Sequence, residues 1–241
     1  MTVELVTIPC RADNYAFLIR DSDTGLTAVI DVPDAAPIMA ALKARAWTLS
    51  HILITHHHDD HIEGVEALRK ATGAKVCGSA ADAHRLPRLD IALSNGDTIP
   101  FGADRLHVLD TPGHTVGHIC FHLPASRLAF TADTLMAAGC GRLFEGTPAQ
   151  MYASLARLAA LPPGTLICSG HEYTASNLRF AVSVDPDNPA LVARIADTTA
   201  ARVAGKATVP SLLSLEIATN PFLRAPSLAA FTTLRAAKDR F

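Results

Sequence analysis

The sequence predicts an α+β protein built from two parts, on the strength of three observations. Short apolar segments typical of strands, separated by Gly, Pro and Asp turns, dominate the chain up to about residue 172. Beyond Ser169-Gly170-His171 the apolar residues recur at helical spacing instead. A chain of 241 residues is long enough for one large domain and a smaller one. Strands followed by helices therefore predict a domain of residues 1–172 and a helical C-terminal domain of residues 173–241.

The first elements are strands, followed by alternating strands and helices. Apolar segments predict strands at 2–8, 15–20, 26–32, 51–54 and 75–77, and the polar residues 21–25 join two of them as a hairpin. Helices are predicted at 34–45, with Asp34 as the capping residue, and at 62–72. Residues 79–93 are predicted to form a loop with at most one helical turn.

The rest of the chain changes from strands to helices. Short apolar segments predict strands at 105–110, 118–123, 127–131 and 165–168, with one helix at 148–160. Four more helices are predicted at 175–184, 190–205, 211–219 and 227–238. The sequence contains no repeat of 20–50 residues and no low-complexity tract, so a repeat architecture is excluded.

The composition is that of an ordinary globular protein. Apolar residues make up 49% and charged residues 18% of the chain, which excludes a disordered protein. The formal charge of −2 argues against a general nucleic-acid binder, and no apolar run approaches the ~20 residues of a membrane span. The first five residues lack a signal-peptide pattern, and five cysteines are dispersed without a C-x-x-C pair. We therefore expect a cytoplasmic protein with reduced, mostly buried thiols and no nucleic-acid or membrane partner.

The segment Thr55-His56-His57-His58-Asp59-Asp60-His61 is exceptionally rich in histidine and aspartate. It follows the apolar residues 51–54, which are typical of a buried strand, and it precedes residues of helical spacing. Four histidines and two aspartates at such a junction cannot all be buried without partners. Their density predicts metal ligands rather than a solvated surface loop.

Further polar side chains follow other predicted strands. His114 lies between two strands, Asp133 follows the apolar residues 128–130, and His171 follows the strand at 165–168. Each of them alone is typical of a capping or solvated residue. Together they suit a site at one edge of a sheet, and imidazoles combined with carboxylates favour divalent ions. The spacing predicts a metal site but does not give the number of ions.

These motifs resemble those of the metallo-β-lactamase superfamily. Thr55-His56-x-His58-x-Asp60-His61, Pro112-Gly113-His114-Thr115, Asp133 and His171 occur in the order typical of it. Within the superfamily the chain is most similar to the glyoxalase II, or hydroxyacylglutathione hydrolase, family, and the similarity covers nearly the whole chain. The segments that carry it are Asp13-Asn14-Tyr15, Ala138-Gly139-Cys140-Gly141-Arg142, Glu145-Gly146-Thr147, Gly170-His171-Glu172-Tyr173-Thr174, Asn177-Leu178 and Leu234-Arg235-Ala236-Ala237-Lys238-Asp239-Arg240-Phe241.

The resemblance implies a fold and a metal centre. The implied fold is an αββα sandwich of two mixed sheets with helices outside, followed by the helical C-terminal domain. Seven residues are implied as ligands of two divalent ions: His56, His58 and His114 for the first, Asp60, His61 and His171 for the second, and Asp133 as the bridge. His57 and Asp59 occupy variable positions and are not expected to be ligands. Zinc is expected first, with iron or manganese as alternatives.

The resemblance also implies a reaction. It is the hydrolysis of S-(2-hydroxyacyl)glutathione, typically S-D-lactoylglutathione, to a 2-hydroxy acid and glutathione, the second step of methylglyoxal detoxification. Asp60 and Asp133 would be the catalytic ligands around a hydroxide that the two ions share. A thiolate leaving group needs little protonation, so His118 is expected to pack rather than to act as an acid. Asp31, after an apolar strand, is expected to tie loops together.

Glutathione carries two carboxylates, so its pocket needs local basic residues. By resemblance, the residues expected to bind the substrate are Arg142, Tyr173, Asn177, Arg235 and Lys238. The family often has Lys and Tyr at the positions of Arg142 and Phe144. Arginine keeps the charge but phenylalanine removes a hydroxyl, so we expect weaker or altered glutathione affinity rather than lost hydrolysis.

Two other functions fit parts of the pattern. A persulfide dioxygenase of the same superfamily would use one iron ion and would normally lack the helical tail. A non-catalytic module that binds thiols or is stabilised by metal would not need an open coordination position. We expect the hydrolase, acting as a monomer.

Overall fold

The computed structural model describes residues 3–241, and these residues divide into two compact units. One unit contains the described residues up to Asp110 together with Gly117–Phe130. The other contains Thr111–Val116 and Thr131–Phe241. Met1 and Thr2 lie outside the described residues. The predicted start of the first strand, at Thr2, and part of the segment used for the signal-peptide prediction fall on them.

The first unit contains a mixed six-stranded sheet. Its strands are neighbours in chain order: β1 (Val3–Cys10), β2 (Asn14–Asp21), β3 (Thr27–Ile30), β4 (His51–Leu53), β5 (Lys75–Ser79) and β6 (Ile91–Leu93). The first three strands are antiparallel, whereas β3 to β6 run parallel. Because parallel strands end at the same edge of a sheet, the residues that follow β3 and β4 are neighbours there.

The predicted hairpin is confirmed by the antiparallel pairing of β2 with β3. Asp21 closes its turn, because its Oδ1 accepts hydrogen bonds from the backbone N of Thr24 at 2.8 Å and from the Oγ1 of Thr24 at 2.7 Å. These bonds stabilise the ionised carboxylate and hold the pKa of Asp21 below its usual value.

The helices of the first unit are α1 (Ala35–Arg45), α2 (Asp59–Ile62) and α3 (Val65–Thr72). The predicted cap of α1 is confirmed, since Asp34 Oδ1 accepts a hydrogen bond from Ala36 N at 3.0 Å. The helix predicted at 62–72 is confirmed over α3 but begins three residues later, because a break at Gly64 separates α3 from α2. At this break the backbone N of Val32 donates to the oxygen of His61, and the backbone N of Gly64 donates to the oxygen of Val32. A Cβ at Gly64 would lie 2.6 Å from the nitrogen of Ala35, so this break requires glycine.

Residues 79–93 are more regular than predicted. The expected helical turn is present as a 3-10 helix (Ala80–Asp82), but β6 then pairs in parallel with β5, with Ile91 opposite Cys77. The prediction of a loop through residue 93 is therefore wrong. Three residues are too few to show an alternating pattern, so pairing with a neighbour decides this strand.

Four antiparallel strands follow in the order β7-β8-β9-β10: β7 (Thr98–Phe101), β8 (Asp104–Asp110), β9 (Ile119–Leu123) and β10 (Leu128–Ala132). The last three confirm strands predicted from the sequence. The chain passes from the first unit into the second within β10, after Phe130.

The second unit is mainly helical. Its elements are β11 (Leu135–Met136), β12 (Gly139–Cys140), α4 (Pro148–Ala159), β13 (Leu166–Ser169), α5 (Thr174–Val184), α6 (Pro189–Val203), β14 (Ser211–Leu212), α7 (Leu213–Thr219) and α8 (Leu228–Lys238). The helix predicted at 211–219 begins late, because Ser211 and Leu212 pair antiparallel with β13. The other predicted helices are confirmed, and so is the α+β class.

All five cysteines are free thiols with buried side chains: Cys10, Cys77, Cys120, Cys140 and Cys168. Burial disfavours the thiolate and raises the pKa of Cys10 to about 11 and that of Cys77 to about 12. The predicted reduced and buried thiols are confirmed. Over residues 3–241, no helix has the length and apolar character needed to cross a membrane.

Candidate metal centre

The histidine-rich segment lies between a strand and a helix of the first unit, as predicted: it follows β4, and its last three residues, Asp59, Asp60 and His61, belong to α2. Its first side chain, Thr55, is buried and places Oγ1 3.0 Å from Nδ1 of His56. Nε2 of His56 lies 3.1 Å from Nδ1 of His58, and the ligand atoms of His56 and His61 lie within 4.8 Å of each other. The segment thus brings three imidazoles together at the end of a parallel strand.

Asp31 fixes this segment from the end of β3. Its Oδ1 accepts a hydrogen bond from the backbone N of Thr55 at 2.9 Å, and its Oδ2 accepts one from Thr55 Oγ1 at 2.8 Å. The same Oδ2 lies 2.8 Å from Nδ1 of His61. The predicted role of Asp31 in tying loops together is confirmed.

Asp60 is oriented by a residue that was not predicted to have a role. Asn14 Nδ2 donates hydrogen bonds to the backbone oxygen and to Oδ2 of Asp60, both at 3.0 Å. Oδ2 of Asp60 lies 3.8 Å from Nε2 of His61. Asn14 stands in the segment Asp13-Asn14-Tyr15, and its place in that motif was the available signal.

The residues not expected to be ligands have other contacts. Nδ1 of His57 lies 2.9 Å from Oδ2 of the buried Asp82. The ring of His118 stacks on the ring of His56, with centroids 4.9 Å apart, which agrees with a packing role. The backbone oxygen of Asp59 accepts a hydrogen bond from Arg11.

The second unit brings together the other three predicted ligands. His114 follows β8, Asp133 follows β10 and His171 follows β13. Oδ2 of Asp133 lies 3.3 Å from Nε2 of His114 and 3.5 Å from Nε2 of His171. Nδ1 of His114 lies 2.8 Å from the backbone oxygen of Arg142, an acceptor that orients the ring.

These distances fit divalent ions. Two nitrogen ligands of one tetrahedral zinc ion lie ~3.4 Å apart when each bond is ~2.1 Å long. The four separations within the two sets of ligands are 3.1, 3.3, 3.5 and 3.8 Å. Imidazoles and carboxylates are also the ligand types that zinc, iron and manganese accept in proteins. The side chains present can therefore hold such ions.

Two of the three basic residues predicted to bind substrate, Arg142 and Arg235, meet at one carboxylate, that of Asp239. Its Oδ1 lies 3.4 Å from Nε of Arg142 and accepts a hydrogen bond from Nη2 of Arg235 at 2.9 Å. Arg235 is only 6% exposed, and its Nη1 donates a hydrogen bond to the backbone oxygen of Cys140 at 2.9 Å. Lys238 donates to the backbone oxygen of Ser176 at 3.3 Å.

The pKa of the Lys238 ammonium group is lowered. Its partial burial and the nearby cations Arg235 and Arg179 disfavour the ammonium form and lower its pKa below that of an ordinary lysine. Arg142 has an exposed side chain, so positive charge in this region is present both at the surface and below it.

The remaining predicted substrate residues differ in exposure. Tyr173 is 39% exposed and stacks on His171 with ring centroids 4.7 Å apart. Asn177 is buried, and its Nδ2 donates a hydrogen bond to the backbone oxygen of Ala137 at 3.0 Å. Its direct contact with substrate stays a prediction. Phe144, in place of the family's tyrosine, is exposed with its ring edge-on to His114 at 5.3 Å.

Two carboxylates in the second unit were not predicted to have a role. Glu172, next to His171, accepts hydrogen bonds from the backbone N and Oγ1 of Thr208. Glu216 is fully buried and pairs with Arg194. An acidic residue within the apolar helix α7 was the signal for the second, because a carboxylate there must find partners.

Two family models together match residues 13–241. Residues 13–171 match the metallo-beta-lactamase superfamily, and residues 172–241 match the C-terminus of hydroxyacylglutathione hydrolase. The chain is similar to a hydroxyacylglutathione hydrolase of Jannaschia sp. (strain CCS1), with 63% identity over 99% of this chain and 98% of the relative. It is 56% identical to one of Ruegeria pomeroyi, with both chains covered completely.

Solved structures agree with these matches. ETHE1 from Myxococcus xanthus has a TM-score of 0.74 and 28% identity, covering 98% of this chain and 90% of its own. A di-iron-bound form of TTHA1623 has a TM-score of 0.65 and 25% identity, covering 91% of this chain and 100% of its own. The expected metallo-β-lactamase fold with a helical C-terminal region is confirmed. The chain therefore belongs to the metallo-β-lactamase superfamily and, within it, to the hydroxyacylglutathione hydrolase family of enzymes.

Proposed function

We propose that this enzyme hydrolyses the thioester bond of S-(2-hydroxyacyl)glutathione, typically S-D-lactoylglutathione, to release a 2-hydroxy acid and glutathione. The observation that carries the proposal is its 63% identity, over nearly the full length of both chains, to a protein named hydroxyacylglutathione hydrolase. The helical C-terminal segment, residues 172–241, belongs to the matching family as well. We assign residues 1–172 to the catalytic domain and residues 173–241 to the substrate-binding domain.

Membership of the superfamily implies a site for two divalent metal ions. We assign seven ligands to it: His56, His58 and His114 for one ion, Asp60, His61 and His171 for the other, and Asp133 for both. The position of Asp133 Oδ2 near both His114 and His171 supports the bridging assignment. Zinc is the first candidate because these ligands suit it, and the di-iron form of TTHA1623 supports iron as an alternative.

The two metal ions, when bound, would supply an activated water molecule and electrostatic stabilisation of the oxyanion that develops on the thioester carbonyl. The protein holds its ligands in place beforehand. Asp31 and Thr55 fix one imidazole each, Asn14 fixes the Asp60 carboxylate, and the backbone oxygen of Arg142 orients His114. A thiolate is a weak base, so departure of glutathione requires no dedicated acid among these residues.

The helical segment supplies the charge that glutathione carboxylates require. We assign their binding to Arg142, Arg235 and Lys238, with Arg142 the most accessible and Arg235 acting from a buried position. Tyr173 is assigned as a hydroxyl donor to the peptide part because its exposed ring lies against His171. Asn177 is assigned to the same substrate-binding region, where its Nδ2 donates a hydrogen bond to the backbone oxygen of Ala137. We further propose that the enzyme acts as a monomer and that it is located in the cytoplasm. Its five free, buried cysteines support the second proposal.

The test is a panel of thioesters of glutathione, coenzyme A and simpler thiols, assayed by thiol release on protein of measured metal content. We expect two equivalents of divalent metal per chain and a clear preference for the glutathione thioester. Preference for the coenzyme A ester would contradict the assigned basic residues. Oxygen uptake on glutathione persulfide with one iron per chain would instead support the dioxygenase.

A further inference from the structure

Side chains of the C-terminal helices hold a short hairpin in the second unit, and Thr131 Oγ1 also donates a hydrogen bond to the backbone oxygen of its first residue, Leu135. The hairpin consists of β11, β12 and the turn between them, residues 135–140, and has only two paired positions of its own. Ala138 in its turn has a left-handed backbone with φ of 57°. A hairpin this small is not stable by itself, so its shape depends on what it packs against.

Glu216 of α7 is the centre of that support. Its Oε2 accepts a hydrogen bond from the backbone N of Ala138 at 2.8 Å, and its Oε1 accepts one from Ser211 Oγ at 2.7 Å. The guanidinium of Arg194 also donates to it. The carboxylate has no exposure to solvent, and these donors are what make its burial tolerable.

Three more side chains hold the carbonyl groups of the hairpin. Asn220 Nδ2 donates to the oxygen of Gly139 at 2.9 Å and to that of Met136 at 3.2 Å. Asn177 Nδ2 donates to the oxygen of Ala137 and Arg235 Nη1 to that of Cys140. Each donor belongs to, or directly follows, one of the helices α5, α7 and α8.

The two residues that follow the hairpin, Gly141 and Arg142, lie next to the assigned metal ligands Asp133 and His114. Gly141 packs so tightly that a Cβ would lie 1.9 Å from the backbone oxygen of Asp133 and 3.1 Å from Nδ1 of His114. The next residue, Arg142, presents its backbone oxygen to Nδ1 of His114 at 2.8 Å. A shift of the hairpin therefore moves the acceptor that sets the orientation and tautomer of His114.

We propose that Glu216 and Asn220 are positioning residues for the metal centre, acting through the hairpin and the Arg142 carbonyl on His114. The proposal rests on the assignment of His114 as a ligand under the proposed function. The C-terminal helices would then orient a metal ligand in addition to contacting the substrate. Loss of either side chain would lower metal affinity although neither lies next to a metal ligand in the chain.

The test uses the full-length, zinc-loaded enzyme with Glu216→Gln and, because a buried ion pair is disturbed there, also Asn220→Ser. We expect about a tenfold loss of zinc affinity by chelator competition, the lower end of what loss of an outer hydrogen bond causes. The 1H–15N resonance of the hydrogen-bonded His114 Nδ1 should also shift. Ser227→Ala, which removes the α8 cap without touching the hairpin, is the matched control and should lower Tm only.

Unchanged zinc affinity and an unshifted His114 resonance in a folded Asn220→Ser variant would overturn the proposal. The same result in Glu216→Gln would do so too, and if that variant fails to fold, Asn220→Ser decides. Wild-type enzyme that binds no divalent metal ion would instead refute the proposed function, so the two failures are distinguishable.

Discussion

Oδ2 of Asp31 lies 2.8 Å from Nδ1 of His61, so the carboxylate that ends one parallel strand holds an imidazole that follows the next. The contact turns the other ring nitrogen, Nε2, toward Asp60. It therefore selects the tautomer and the orientation that a metal ligand at His61 needs. Two adjacent parallel strands suffice to build this geometry.

Replacement of Asp31 tests this relationship. Asp31→Asn is the suitable change, because φ at this position is 57° and asparagine tolerates the left-handed region. We expect about a 10- to 100-fold loss of affinity for the ion assigned to Asp60, His61 and His171. Competition titration with a chromophoric chelator measures it. Two equivalents bound as tightly as in the wild type would count against the role of Asp31.

Asp133→Ala should have the largest effect on metal content. Its Oδ2 is near the ring nitrogens of both His114 and His171, so its loss removes a ligand common to both ions under the proposed assignment. We expect fewer than two equivalents of metal and at least about a hundredfold lower turnover. Elemental analysis after dialysis checks the first and thiol release the second. His57→Asn, changed at a position assigned no metal, should keep both ions. Full turnover in Asp133→Ala would contradict the assignment of Asp133 to the catalytic metal centre.

Asp239→Asn should strengthen substrate binding. The carboxylate neutralises part of the charge of Arg142 and Arg235, and under the proposed assignment it would compete with a substrate carboxylate for them. Removing it should lower KM for the glutathione thioester about three- to tenfold, since an exposed ion pair contributes about 0.2–1 kcal/mol and a charged hydrogen bond somewhat more. Steady-state kinetics at fixed ionic strength measure KM and kcat separately. A raised KM would mean that Asp239 orients the arginines for binding.

The lowered pKa of Lys238 predicts that glutathione binding depends on pH. Its lowered pKa means that the ammonium is lost at a pH below that at which an ordinary lysine loses it. Affinity for S-methylglutathione should therefore weaken on the alkaline side earlier than an unperturbed lysine would allow. In Lys238→Arg the charge persists and this step should vanish. Calorimetric titration of both proteins across the same pH series cancels the ionisation of the ligand itself, and identical profiles would contradict the role of Lys238.

The lowered pKa of Asp21 predicts how the stability of the fold depends on pH. Its folded pKa is lowered, so its contribution is complete above the unfolded value of about 3.9 and is lost as the pH falls through the folded value. Asp21→Asn should lower Tm by about 2–4 °C at neutral pH, for a loss of about 1 kcal/mol. The difference from the wild type should shrink below about pH 4. Asp23→Asn, an equal charge change at an exposed position of the same turn, is the control and should leave Tm nearly unchanged at every pH.

The metal ligands could be proposed from the sequence because they lie in segments that come after strands and because four histidines within seven residues are typical of a metal site. The strands and helices were also predictable wherever a pattern extended over several residues, as in α1 and α6. The break at Gly64 was not, because it depends on the approach of Val32 and Ala35 from another part of the chain. Ser211 likewise becomes a strand only because β13 lies beside it.

The supporting residues were harder to predict than the ligands. Asn14 and Glu216 act through partners 46 and 78 residues away, and nothing in the local sequence identifies those partners. The burial of Arg235 was hidden for the same reason, since its position three residues before Lys238 on a helix suggests only a shared face. Side chains that act through long-range contacts require the structure.

The cysteines matter for an enzyme whose proposed product is itself a thiol. The disulfide form of glutathione exchanges with accessible protein thiolates, which leaves a mixed disulfide on the protein and releases one glutathione thiol. Here every cysteine side chain is buried, and burial opposes ionisation of Cys10 and Cys77. The folded enzyme is thereby shielded from modification by the disulfide form of its proposed product.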